Sequence, residues 1–72
     1  MDTTTHVFQV GGMHCGSCAM LIDDALEDLP GVRNTQTTMK HQRSTVELDR
    51  TLTSTQDVIA AIEGLGYQVV EL

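Results

Sequence analysis

The two cysteines of this chain, Cys15 and Cys18, are separated by two residues within the sequence GMHCGSC at residues 12–18. Thiolates are the ligands that soft metal ions prefer, Cu(I) foremost among them. A pair of thiolates with no further cysteine suits an ion that accepts two ligands, whereas a structural zinc takes four. The residue types and their spacing therefore predict a two-thiolate site for a soft metal ion.

The position of this motif, between a predicted strand and a predicted helix, favours thiolate chemistry. Cys15 falls in the loop and Cys18 in the first helical turn, where unpaired backbone N–H groups and the helix dipole stabilise anions. We therefore expect both thiol pKa values to lie below that of a free cysteine. An ion held by only two thiolates on a loop can accept a third thiolate from another protein before it leaves, so it can be transferred without being released.

The elements that must position the motif follow from the spacing of apolar residues. We predict a strand over residues 6–10, a helix over 17–29, and strands over 32–39 and 44–49. A second helix begins with a capping box at residues 54–57, and a last strand covers residues 68–72. This order predicts an α+β fold, a ferredoxin-like βαββαβ sandwich with a four-stranded antiparallel sheet and two helices on one face. We expect residues 1–72 to form a single domain, with residues 1–5 frayed.

Composition and charge exclude several functional classes. The formal net charge of −6 argues against nucleic acid as a partner, because phosphate backbones bind basic surfaces. No apolar run is long enough to span a membrane, and no basic segment followed by an apolar run marks a signal peptide, so we expect a cytoplasmic protein. Asp23, Asp24, Glu27 and Asp28 cluster in the first predicted helix. This acidic cluster is either a solvated helix face or a docking surface for a basic partner.

Residues 12–18, placed after a strand and before a helix, resemble the GMxCxxC signature of heavy-metal-associated domains. The resemblance extends from about residue 6 to residue 72 and includes residues 30–32 and 61–67. Such domains occur as bacterial copper chaperones and at the N-terminus of copper-transporting P-type ATPases. The resemblance implies that Cys15 and Cys18 bind Cu(I), and that the chain passes the ion to a copper-transporting P-type ATPase.

Three neighbours of the cysteines have further roles to consider. The resemblance places Met13 in the core as a brace for the loop, in keeping with the tendency of methionine to fill core gaps. His14 is either an exposed loop residue or an auxiliary ligand. Tyr67 either covers the site or is a half-buried core residue. His6 and His41 are expected to be solvated and far from the motif.

Other functions remain open from the sequence. A CxxC motif at a helix start also occurs in thiol–disulfide oxidoreductases, but the chain is short for that fold and its one proline, Pro30, ends a helix. Members of the same family bind zinc or mercury; the residues that flank Cys15 are His14 and Gly16, which offer no carboxylate to a harder metal. We expect a monomeric carrier that is not an enzyme and that can form a copper-bridged dimer, and we favour a free-standing chaperone over a domain of a transporter.

Overall fold

The computed structural model describes residues 3–14 and 16–72 and contains the six elements expected from the sequence. They are β1 Thr3–Gly11, α1 Gly16–Glu27, β2 Val32–Thr38, β3 Arg43–Asp49, α2 Thr55–Gly64 and β4 Gln68–Glu71. The strands form one antiparallel sheet in the order β2-β3-β1-β4. The predicted ferredoxin-like α+β class is therefore confirmed.

The first strand is longer than the alternation of apolar residues indicated. β1 pairs with β3 from Thr3, which lies opposite Asp49, and the pairing continues without a break toward the motif. The prediction that residues 1–5 fray is therefore wrong for residues 3–5, because β3 extends far enough to pair with them. Residues 1 and 2 lie outside the described part of the chain.

The hydrophobic core lies between the sheet and the two helices. Phe8 and Val10 alternate toward this side of β1, and Ile22 and Leu26 lie one turn apart on α1. The buried apolar residues of the core are Phe8, Val10, Met13, Cys18, Ile22, Leu26, Val46, Leu48, Val58 and Ile62. Both helices therefore cover the same face of the sheet. Within residues 3–14 and 16–72, no helix is long and apolar enough to cross a membrane.

A polar network joins α1 to the inner face of β2. Thr35 and Thr37 are 8% and 9% exposed, and their hydroxyls donate to Asp23 Oδ1 at 2.9 and 2.7 Å. The backbone N–H of Thr37 donates to Asp23 Oδ2 at 3.2 Å. Thr37 Oγ1 also lies 3.0 Å from Ser44 Oγ. Because the single hydroxyl proton of Thr37 is directed to the carboxylate, the serine supplies the proton of this last bond.

The acidic cluster of α1 is divided by this network. Asp23 is half-buried and hydrogen-bonded to the sheet, whereas Asp24 is exposed. Glu27 is nine residues beyond Cys18 on α1, which is about 14 Å along a helix axis. The carboxylate of Asp23 therefore holds the helix on the sheet, and the docking interpretation of the cluster stays a prediction.

Candidate metal site

The motif lies in the connection from β1 to α1. Gly12, directly after β1, has a φ of +95°, a backbone conformation that residues with a Cβ rarely adopt. Met13 is 6% exposed and belongs to the hydrophobic core, whereas His14 is exposed. The turn at Gly12 thus directs the chain out of the sheet, and Met13 anchors the loop before it reaches the cysteines.

Cys18 lies in the first turn of α1, which begins at Gly16, and is 9% exposed. The first turn carries no acidic side chain, and the positive end of the helix dipole there stabilises a thiolate, whereas burial of Cys18 against the core opposes it. Cys15, the second predicted ligand, lies outside the described residues. Among residues 3–14 and 16–72, no three His, Cys, Asp or Glu side chains are grouped as a metal site. The candidate site is accordingly the one that the motif defines, with Cys18 as its described member.

Two further connections lie at the same end of the sheet as the motif. β4 begins there, because Gly11 pairs with Gln68. The β2–β3 hairpin also lies there, because the N–H of Val10 donates to the carbonyl oxygen of Gln42 at 2.8 Å. His41 belongs to this hairpin and is exposed, so the prediction that it lies far from the motif is wrong. The position of this hairpin could have been predicted from the element order, because the end of β1 and the β2–β3 turn lie at one end of the sheet when β1 and β3 are antiparallel neighbours.

Tyr67 packs against the loop from the connection that precedes β4. It is half-buried and contacts the hydrophobic core. Its Cδ1 atom lies 3.6 Å from the position that a Cβ would occupy at Gly12, which is van der Waals contact. Tyr67 is therefore both a core residue and a neighbour of the loop, so its two sequence interpretations are compatible with each other.

His6 is engaged with β4, away from the motif. Its Nδ1 lies 3.0 Å from Glu71 Oε2, and its Nε2 lies 2.7 Å from Thr4 Oγ1. The Nδ1–H donates to the carboxylate, and Nε2 shares a hydrogen bond with the hydroxyl. The expectation that His6 is solvated is therefore wrong, because β4 returns beside β1 and brings a carboxylate from the far end of the sequence.

Comparison with known proteins places this geometry among metal-binding domains. The model of the heavy-metal-associated domain family matches residues 7–68. The copper chaperone CopZ of Enterococcus hirae is 31% identical over 61 residues, which are 85% of this chain and 88% of CopZ. The copper-exporting P-type ATPase of Bacillus subtilis is 39% identical over 62 residues, 86% of this chain. The zinc-transporting ATPase of Synechocystis sp. is 39% identical over 67 residues, 93% of this chain. The chain spans only 8% and 9% of the lengths of these two ATPases.

Solved structures share the fold over nearly the whole chain. The Cu(I)-loaded N-terminal domain of a potential copper-translocating P-type ATPase from Bacillus subtilis superimposes with a TM-score of 0.93 at 30% identity, covering 97% of this chain and 88% of that one. Oxidized MerP from Ralstonia metallidurans CH34 superimposes with a TM-score of 0.92 at 26% identity, covering 97% of each chain.

Proposed function

The chain belongs to the heavy-metal-associated domain family, and on this basis we propose that it is a Cu(I) carrier. Cys15 and Cys18 bind the ion as thiolates, and the chain passes it by ligand exchange to a copper-transporting P-type ATPase. The ion is cargo, and the chain catalyses no reaction. The observation that carries the proposal is the position of Cys18, in the first turn of a helix that directly follows the motif loop. We place the carrier in the cytoplasm, as a monomer that can also form a copper-bridged dimer.

Ligand exchange follows from the small number of ligands. A thiolate of the partner forms a third Cu–S bond, after which one of the chain's own cysteines leaves the ion, so that copper is never released into solution. Met13, buried in the core, holds the loop in place during this exchange. Met20, Leu21 and Leu65 are 67%, 53% and 43% exposed. They lie close in sequence to Cys18 or Tyr67, and such apolar side chains are suited to contact the partner's surface.

Zinc is the second candidate cargo. The identity to the Synechocystis zinc-transporting ATPase, 39%, equals the identity to the Bacillus copper-exporting ATPase. Zinc favours four ligands and accepts carboxylate oxygen, and the residues that flank Cys15 are a histidine and a glycine. A donor set of two thiolates fits Cu(I) better, because soft ions select sulfur ligands.

Metal titration distinguishes these candidates. The protein is titrated with Cu(I) against a chromophoric Cu(I) chelator under anaerobic, reducing conditions, and with Zn(II) in parallel. We expect one Cu(I) per chain, and a loss of more than about 100-fold in affinity for either Cys15→Ser or Cys18→Ser, because even groups that only support a metal's ligands cost 10–100-fold when removed. Met20→Leu is the matched control, since it removes an exposed sulfur two residues from Cys18 and should leave the affinity unchanged.

Three results would contradict the proposal. If both serine variants retain wild-type Cu(I) affinity, the cysteines are not the ligands. If Zn(II) competes with Cu(I) at equal affinity, the zinc assignment replaces the copper one. If the chain reduces insulin disulfides at a rate that depends on Cys15 and Cys18, it is an oxidoreductase rather than a carrier.

The variant His14→Ala tests whether His14 is an auxiliary ligand. Its Cu(I) affinity falls below that of the wild type if His14 binds the ion, and equals that of the wild type if it does not.

A further inference from the structure

A polar groove lies on the outward face of the sheet, beneath the β2–β3 hairpin. It has a volume of about 310 Å³ and is lined by Gln36, Thr38, His41, Arg43 and Thr45, a set that we call the hairpin groove. Gln36 pairs with Thr45 and Thr38 pairs with Arg43 across the two strands. Directly paired residues of an antiparallel ladder project from the same face, so these four side chains form one patch, with His41 in the turn above it.

The charge of the hairpin groove is opposite to that of the protein. Its lining includes one cation, Arg43, and no carboxylate, and exposed Lys40 adjoins the lining residue His41 in the turn, whereas the chain as a whole carries −6 with its histidines counted as neutral. The remaining lining residues offer hydroxyl and amide donors. The next carboxylate on this face of β3 is Glu47, which is half-buried and lies one pair farther from the turn, opposite Asn34. The groove is therefore complementary to anionic oxygen atoms, and its guanidinium suits carboxylates in particular.

The hairpin groove also lies beside the route to the metal loop. Gln42, in the same turn, accepts a hydrogen bond from the N–H of Val10 at 2.8 Å, and β1 enters the motif loop two residues after Val10. Arg43 itself lies opposite Gln9 of β1. A protein that contacts this groove is consequently positioned next to the motif loop, which leads into α1 and Cys18.

We propose that the hairpin groove docks an acidic segment of the protein that exchanges Cu(I) with this chain. The inference rests on the proposed function, because docking beside the motif loop assists transfer only if the chain carries Cu(I). The partner's carboxylates bind Arg43 and the neighbouring donors, and the repulsion from the acidic far end of α1 orients the partner toward the metal end. An open groove that extends over two cross-strand pairs fits several carboxylates of an extended segment better than one small ion.

Titration with a hexaglutamate peptide at low ionic strength tests this inference, with binding monitored by the amide chemical shifts of the protein. We expect shift changes concentrated at residues 36–45, and an affinity that falls as salt is added. Arg43→Gln should weaken binding by about tenfold, the loss expected for one charge-assisted hydrogen bond. Arg50→Gln is the matched control, because Arg50 is exposed just beyond the other end of the same strand and its loss changes the net charge equally.

Several results would overturn the inference. The peptide causes no shift changes in the hairpin, the two arginine variants lose affinity equally, or inorganic phosphate binds the groove as tightly as the peptide does. Cys18→Ser is included because it separates the two proposals: it should bind the peptide as the wild type does while losing Cu(I). A failed copper titration with intact, Arg43-dependent peptide binding would contradict the proposed function alone.

Discussion

The hydrogen bonds of Asp23 predict a large difference in stability between two neighbouring aspartates of α1. Asp23 accepts three hydrogen bonds from Thr35 and Thr37, whereas Asp24 is exposed on the same helix. Replacing either with alanine changes the net charge and the helix propensity equally. We expect Asp23→Ala to lower the free energy of unfolding by about 2–4 kcal/mol and Asp24→Ala to change it by less than about 0.5 kcal/mol.

The magnitude for Asp23→Ala follows from what the substitution leaves behind. Hydrogen bonds to a charged group contribute about 1.5–3 kcal/mol each, but three bonds to one carboxylate are not additive. Ser44 already donates to Thr37, 3.0 Å away, so it offers no new acceptor to the Thr37 proton. The buried hydroxyls of Thr35 and Thr37 both lose the carboxylate, and a buried hydroxyl without a partner costs about 1–3 kcal/mol, or roughly 2.5–4.5 kcal/mol for two that are not fully additive. Alanine returns roughly 0.5 kcal/mol of helix propensity, which leaves a net loss of about 2–4 kcal/mol.

Urea unfolding followed by far-UV circular dichroism measures this difference, since the chain has no tryptophan. For a domain of this size, a loss of 2–4 kcal/mol corresponds to a decrease in Tm of roughly 10–30 °C. A double-mutant cycle of Asp23→Ala with Thr35→Val should give a coupling energy of about 1 kcal/mol or more. The reasoning is refuted if Asp23→Ala and Asp24→Ala unfold at the same urea concentration, or if the coupling energy is zero.

Two further predictions concern the end of the domain opposite the motif. Gly31→Ala should lower the free energy of unfolding by about 2–4 kcal/mol, because Gly31 has a φ of +92° and an added Cβ would lie 2.8 Å from Leu52 Cβ. Gly64→Ala is the control in the same urea assay. It should not be destabilising, because nothing lies within 4 Å of the added Cβ. Hydrogen bonds from the Thr51 hydroxyl and backbone N–H hold the pKa of Asp49 below its ordinary value, so its charge stabilises the fold above pH of about 4 and this contribution is lost as the pH falls through the lowered pKa. The stability advantage of the wild type over Asp49→Asn should therefore shrink on acidification below pH of about 4 in urea titrations at several pH values, and an advantage that grows there would contradict the assignment.

Much of the fold could be predicted from the sequence because the signals are local. Phe8 and Val10 alternate along β1 and become buried, as the period of a strand requires. The capping box at the start of α2 forms as predicted, with the N–H of Ser54 donating to Asp57 Oδ2 at 3.1 Å and the N–H of Asp57 donating to Ser54 Oγ at 3.4 Å. These features depend on residues at most a few positions apart, so the order of side chains along the chain determines them.

The local frame of the candidate site was predictable for the same reason. Cys18 lies in the first turn of α1, as its place in the sequence predicts, whereas the binding of a metal ion by Cys15 and Cys18 stays a prediction. What surrounds the motif was harder to predict. His41 was expected to be remote, yet its hairpin lies at the motif's end of the sheet, because the position of a turn depends on which strands pair.

The sequence by itself determined the CxxC motif, the alternation of elements and the faces that each element buries, since periodicity and capping are properties of short segments. Only the tertiary structure decided which distant side chains meet. Asp23 reaches Thr35 and Thr37 because α1 packs on β2, and His6 reaches Glu71 because β4 returns beside β1. A carboxylate in a helix has the same local sequence signature whether it is solvated or bound. Its burial and its partners are set by strand order and helix packing, and these place side chains together that are far apart along the chain.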